Sequence, residues 1–216
     1  FDLGANSGVF SLISKSENPN SKVFAFEPVD RVFKILKKNV LINNYDVVCS
    51  KLAVSNEDGI GYFFDDDEEF TQSVVINLDL EDVASGRGVE KNELHKVETK
   101  LIKLDTFIEQ NDIQNIDLLK IDVETHEPEV IEGFKKNLKN FRPTLLVEII
   151  RDSVAESLEK QLADLNYMFF YINEPFGGVD EEAEGKPYQQ VERLVGGAFG
   201  NYLICSSEKA RELNLI

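Results

Sequence analysis

The sequence predicts an α/β fold with a mostly parallel, doubly wound sheet, and three observations carry that expectation. Apolar, strand-length runs alternate with segments of helical period, which is the pattern of βαβ units. The run at residues 117–123 is apolar enough, through Leu118, Leu119, Ile121 and Val123, for a strand covered on both faces. Polar clusters fall where the strands end, and open α/β sheets bind ligands beyond the carboxyl ends of their strands.

The elements follow in order. Residues 1–3 read as the tail of a first strand, followed by a glycine-containing turn and a short helix. Residues 23–26 form a second strand. From Asp30, placed to cap a helix, Val32, Phe33, Leu36 and Val40 recur at helical spacing. Residues 47–54 read as one third strand. The polar stretch 57–103, with Gly59, Gly61, Gly86 and Gly88, reads as a hairpin-like insertion with strand pieces at 61–64 and 73–78 and a mobile part at 82–93. Asp105 or Thr106 then caps a short helix. After the fourth strand, Pro128 suits the first turn of a helix whose Val130, Ile131 and Phe134 face inward. Residues 144–150 form a fifth strand and 154–165 an amphipathic helix. Two final strands, 168–172 and 202–205, flank a glycine- and acid-rich stretch at 174–200. The expectation is one domain, 1–216, without internal repeats. It begins inside a motif and so is incomplete at its N-terminus.

Composition narrows the function classes. A chain of 216 residues, 42% hydrophobic and 29% charged, has the make-up of a globular domain. No apolar run approaches the roughly 20 residues that cross a bilayer. With 23 basic against 40 acidic residues and a net charge of −17, the surface repels phosphate backbones, so no nucleic-acid partner is expected. The acidic runs at 65–69 and 180–182 read as solvated loops. Cys49 and Cys205 lie far apart in apolar stretches and read as small core residues, which favours a reducing, cytoplasmic compartment.

Four places carry candidate chemistry. The first is the corner Asp2-Leu3-Gly4-Ala5-Asn6-Ser7-Gly8, where Gly4 and Gly8 permit a tight turn and close approach of a ligand to the backbone. Laid on Gly4, the dinucleotide pattern GxGxxG meets Asn6 and Val9 where it requires glycine, so a diphosphate lacks its bare backbone. Asp2 and Asn6 instead offer polar partners to an amino-acid head group. The second is Glu27, 19 residues beyond Gly8, near the interval of about 20 residues at which nucleotide folds place an acid on ribose hydroxyls. The third is Lys120-Ile121-Asp122-Val123-Glu124-Thr125-His126-Glu127. Regular alternation puts Lys120, Asp122 and Glu124 on one face, as a ligand site or as a Lys–carboxylate pair with helix-capping acids. His126 reads equally as a general base or as an exposed residue at a helix start. A metal site from Asp122, Glu124, His126 and Glu127 is possible in ligand type, but one turn rarely points four groups inward, and no metal is expected. The fourth is Glu148, an acid inside the apolar run Leu146-Val147-Glu148-Ile149-Ile150, either paired or at the sheet's end.

In order, Asp2-x-Gly4-Ala5-Asn6-x-Gly8-x-Phe10, Phe26-Glu27-Pro28, Ala53-Val54-Ser55, Lys120-Ile121-Asp122-Val123-Glu124-x-x-Glu127-x-x-Val130-x-x-Gly133, Pro143 and Glu148 resemble the FkbM family of class I methyltransferases. The resemblance runs over residues 1–150 and more loosely to 202–203. It implies a Rossmann-like, seven-stranded sheet with an antiparallel last strand, S-adenosyl-L-methionine as donor, and methylation of a hydroxyl oxygen. It also implies that Asp2, Gly4, Asn6 and Gly8 hold the methionine part and Glu27 the ribose. Ala53, Val54 and Ser55 would border the adenine, and Asp122 would sit near the transferred methyl. The family commonly has glycine where this chain has Thr125.

The expected reaction is direct in-line displacement by an acceptor hydroxyl of a sugar, glycolipid or secondary metabolite. Asp122 or His126 would serve as base, with Glu124 and Glu148 behind. Two rivals stand beside it, an NAD(P)-dependent oxidoreductase and a non-catalytic binding domain that retains the fold. The acceptor and the oligomeric state are not legible in the sequence.

Overall fold

The computed structural model describes residues 1–65, 74–75, 95–173, 187–197 and 200–216. The expected mobile part at 82–93, most of the strand piece at 73–78, the acidic run at 180–182 and most of the run at 65–69 lie outside the described residues.

Among the described residues the main sheet has eight strands in the order β3-β2-β1-β8-β9-β12-β10-β11. They are β1 (Asp2–Leu3), β2 (Val23–Phe26), β3 (Val47–Ser50), β8 (Leu118–Ile121), β9 (Thr144–Glu148), β10 (Tyr167–Ile172), β11 (Tyr188–Val191) and β12 (Asn201–Ser206). Every pairing from β3 across to β9 is parallel. β12 runs antiparallel between β9 and β10, and β11 pairs antiparallel along the free edge of β10. The count of seven strands is thus corrected to eight. The extra strand, Tyr188-Gln189-Gln190-Val191, is half-exposed or exposed at every position, so it carries no apolar run to announce it.

β1 is the switch point. The chain leaves it for β2 and β3 on one side and returns to β8 and β9 on the other. Ligands of open sheets sit at such a reversal, beyond the carboxyl ends of the strands. Here that places the turn after β1 beside the ends of β2 and β8.

Helix α1 (Val9–Glu17) follows β1, and α2 (Asp30–Ile42) buries Val32, Leu36 and Val40 at the expected spacing. The cap of α2 is Val29 rather than Asp30. Phe33 N–H already donates to the Val29 carbonyl, and Lys34 and Lys51 draw the Asp30 carboxylate outward.

The expected third strand is two. β3 stays in the main sheet, while β4 (Ala53–Val54) crosses to a second sheet of order β4-β7-β5-β6, with β5 (Gly59–Asp65), β6 (Val74–Val75) and β7 (His95–Ile102). The break falls at Lys51, which is exposed and tied to Asp30. β5 and β7 pair antiparallel from Gly59↔Leu101 to Asp65↔His95. Phe63 of β5 is fully buried against Val29 and Val32, so this second sheet packs on the start of α2.

Helix α3 (Leu104–Gln110) is capped by Lys103, not by Asp105 or Thr106. Asp105 instead accepts the Lys136 and Asn137 N–H groups, capping α5 (Lys135–Phe141), and Thr106 donates to Asp58. Helix α4 (Glu127–Gly133) has Pro128 in its first turn and buries Val130 and Ile131, with Phe134 buried just beyond it. Helix α6 (Asp152–Leu162) covers β9 and β12 through Val154, Ala155 and Leu158, and α7 (Ser207–Glu212) ends the chain. Among the described residues no helix is long and apolar enough to cross a membrane. Cys205 is buried and Cys49 half-buried, both as free thiols.

Candidate functional site

The corner after β1 folds as it does because three of its residues, Gly4, Asn6 and Gly8, sit in left-handed backbone. Gly4 has φ +70, and a Cβ there would lie 1.8 Å from the Asp122 carbonyl oxygen, so only glycine lets this turn pass the end of β8. Asn6 has φ 50; its N–H donates to Glu27 Oε2 at 3.0 Å, and its Oδ1 accepts from the Ser7 N–H. Gly8 has φ +89, and a Cβ there would also lie 2.5 Å from the Leu36 side chain of α2.

Glu27 is buried just beyond β2 and accepts from Val29 N–H through Oε1 as well as from Asn6 N–H through Oε2. Burial pushes its carboxyl up to about 7, with the two backbone donors and Lys120 opposing and Asp2 adding. Asp2 itself is 1% exposed within β1. Ser11 donates to its Oδ2, and its Oδ1 lies 3.5 Å from Lys120 Nζ. Lys120 also donates to the Gly4 carbonyl and to Asp122 Oδ2, at 3.2 and 3.0 Å. One ammonium therefore ties β1, its turn and the end of β8 together.

Beyond these strand ends lies a cleft. Gly4 and Asn6 line it from the first turn, Glu27 and Pro28 from the end of β2, Ala53 and Val54 from β4, and Asp122 and Glu124 from the segment after β8. Phe26, Val32, Leu52 and Val123 add apolar wall, and among the described residues no lysine or arginine lines it. The predicted residues Gly4, Asn6, Glu27, Ala53, Val54 and Asp122 come together here. Asp2, Gly8 and Ser55 stand behind the wall. The apolar lining was missed because Val32 and Leu52 read like any core residue; only their position near strand ends could have found them.

The segment after β8 does not continue the strand. β8 ends at Ile121, and Glu124 and Thr125 have φ 55 and 76, so the expected alternation of Lys120, Asp122 and Glu124 on one strand face fails. The left-handed turn nevertheless brings Asp122 and Glu124 to Glu148, with one carboxylate oxygen from each within 4.8 Å of the others. Burial, then the charge of Asp122 and a hydrogen bond with it, push the Glu148 carboxyl up to about 8, with Glu124 and Glu127 adding to the repulsion. Three such oxygens are of a type and spacing that can hold a cation. They differ from the four groups weighed in the sequence, because Glu127 folds back onto the Val123 N–H and is pushed up to about 7 by burial.

His126 is buried and takes no place on the cleft wall. Its Nε2 is 3.0 Å from Ser55 Oγ, and its Nδ1 is 3.5 Å from Glu129 Oε2. Burial holds its pKa below the usual imidazole range, with Glu129 opposing.

Known proteins agree with this architecture. The family model described as a methyltransferase FkbM domain matches residues 2–169. The chain is 31% identical over 150 residues to the 31-O-demethyl-FK506 methyltransferase FkbM of Streptomyces tacrolimicus, covering 62% of this chain and 58% of that protein. It is 28% identical over 177 residues to methyltransferase sdnD of Sordaria araneosa, covering 73% and 65%. The matches thus span about three fifths of these relatives' own length. A crystal structure of methyltransferase FkbM from Methylobacillus flagellatus KT shares the fold with a TM-score of 0.54 at 10% identity, over 94% of this chain and 42% of that one. The family match covers most of the sequence and both halves of the cleft: this chain belongs to the FkbM methyltransferase family.

Proposed function

We propose that this chain is the catalytic domain of an S-adenosylmethionine-dependent O-methyltransferase acting on a hydroxyl of a small-molecule or saccharide acceptor, such as a sugar, glycolipid or secondary metabolite. One observation carries the reading. Among the described residues, the cleft at the switch point is lined by the carboxyl groups of Glu27, Asp122 and Glu124 between apolar walls, and no lysine or arginine lines it. Three carboxyl groups on the wall disfavour a diphosphate, whereas a cationic, phosphate-free nucleoside fits.

The chain's groups divide the work. Each Glu27 oxygen spends one lone pair on a backbone N–H and keeps another for a ribose hydroxyl. Ala53, Val54, Val32 and Leu52 offer apolar surface to a flat ring. Gly4 lets the first turn pass against the Asp122 carbonyl and so brings its backbone to the cleft wall. S-adenosylmethionine supplies, when bound, an electrophilic methyl group on a sulfonium. The Asp122–Glu148 pair, which shares a hydrogen bond, takes the proton of the acceptor hydroxyl on a carboxylate oxygen. The relative named as a 31-O-demethyl-FK506 methyltransferase supports an oxygen acceptor.

Calorimetric titration of the chain with S-adenosylhomocysteine and with NAD tests the cofactor. Binding of the first and not the second is expected, and binding of NAD alone overturns the reading. A methyl-transfer screen over hydroxylated acceptors then tests the substrate class.

A further inference from the structure

The two walls of the cleft come from different sheets, and a buried polar contact joins them. Ala53 and Val54 of the second sheet form one wall, and Asp122, Val123 and Glu124 after β8 form part of the other. The residue following the first wall is Ser55 and the residue closing the acid-bearing turn is His126. Their side chains meet at 3.0 Å with both residues buried. The seam around them is tight: a Cβ on Gly133 of α4 would lie 2.0 Å from the Ser55 carbonyl oxygen, and Asn56 donates to Glu132 of the same helix. Each end of the contact is also anchored along the backbone, Ser55 N–H on the Ile102 carbonyl of β7 and the His126 carbonyl by the Val130 N–H.

Resting on the cofactor reading above, we infer that His126 is a positioning residue that acts through Ser55 to fix the spacing between the adenine-side wall and the acid-bearing turn, and is not the general base. Both ring nitrogens have partners within the fold, Ser55 on one side and Glu129 on the other. His126 is 8% exposed and, among the described residues, stands off the cleft wall, out of reach of an acceptor hydroxyl. A buried hydrogen bond that loses one partner leaves the other unsatisfied, at a cost of about 1–3 kcal/mol. Here that cost falls on the wall geometry that holds the cofactor, not on the proton-transfer step.

The test uses Ser55→Ala, His126→Ala and His126→Gln, with S-adenosylhomocysteine affinity by calorimetry and turnover as a function of pH. Glutamine can place an amide where Nε2 lies and keep the bond to Ser55, yet it cannot accept a proton near neutral pH. Ser55→Ala and His126→Ala are expected to weaken S-adenosylhomocysteine binding about tenfold while kcat changes less than about threefold. His126→Gln should recover affinity to within about threefold of the natural chain, with the pH profile of kcat unaltered. A loss of kcat of about 100-fold in His126→Gln, or loss of a limb of its pH profile, overturns the inference in favour of a base. Ser55→Ala binding as tightly as the natural chain also overturns it. A natural chain that binds no S-adenosylhomocysteine defeats the cofactor reading instead, which keeps the two failures apart.

Discussion

Glu27 and Glu148 are both acids at the carboxyl ends of parallel strands in one sheet, and both are held well above the ordinary carboxylate range, to about 7 and about 8. Their surroundings differ. Glu27 is buried but satisfied, with a backbone N–H on each oxygen, and burial is the main force raising it. Glu148 is half-buried and faces Asp122, Glu124 and Glu127, so like charges add to burial in keeping it protonated. A satisfied acid makes a rigid rest for a ligand; a crowded one makes a proton store. The two ends of the site are thus separated by what surrounds each carboxyl, since the residue type is the same.

Four changes break or sharpen that contrast. Replacing the crowded acid, Glu148→Gln, should lower turnover by about 10²–10⁴-fold while calorimetry shows S-adenosylhomocysteine affinity nearly kept. Removing the satisfied acid, Glu27→Ala, should do the reverse, weakening S-adenosylhomocysteine about 10- to 100-fold as two buried donors lose their acceptor, with a smaller effect on kcat. A milder divergence should appear in stability against pH. The folded-state pKa of Glu148 lies above its ordinary 4.5. Its contribution is therefore fully present below about 4.5 and lost as pH rises through about 8. The amide of Glu148→Gln stays neutral, so the variant's melting temperature should gain on the natural chain by about 2 °C or more between pH 5 and pH 8. Glu27→Gln should melt lower at every pH in that window, because one amide N–H₂ must face a backbone N–H. His126, held low by burial, acts in the opposite sense but cancels in these differences. The smallest effect concerns the turn that gathers the acids. Thr125 is β-branched at φ 76, and Thr125→Gly should relieve strain worth about 1 kcal/mol net of the entropy glycine adds to the unfolded chain. Calorimetry should register it as a rise of about 2–4 °C.

Much of the fold is legible where one local rule acts alone. Val32, Leu36 and Val40 mark the inner face of α2, Pro128 marks the first turn of α4, and the apolar run of β8 marks a central strand. Legibility fails where a residue's partner is remote. Asp30 and Asp105 look like caps of their own helices, but Lys51 and the start of α5 claim them. Residues 47–54 read as one strand because nothing local tells that Ala53 and Val54 leave for β7. At the site, Gly4, Asn6 and Glu27 stand out as a polar corner. The meeting of Glu148 with Asp122 depends on β9 lying beside β8, which is a property of strand order. His126 shows the limit most plainly. In sequence it reads equally as a general base or as an exposed residue at a helix start, yet the residue that holds it, Ser55, follows a strand of the other sheet.

The place of β12 has a consequence for how the protein is made. This strand follows both β9 and β10 in sequence, yet it lies between them and bonds to both. Those two strands are joined in the sheet through it. During synthesis, β10 must wait as an open edge for the C-terminal residues to leave the ribosome. Closure of the sheet is therefore a late, long-range step, and chains cut short before residue 201 should expose two adhesive edges where the finished protein has one seam.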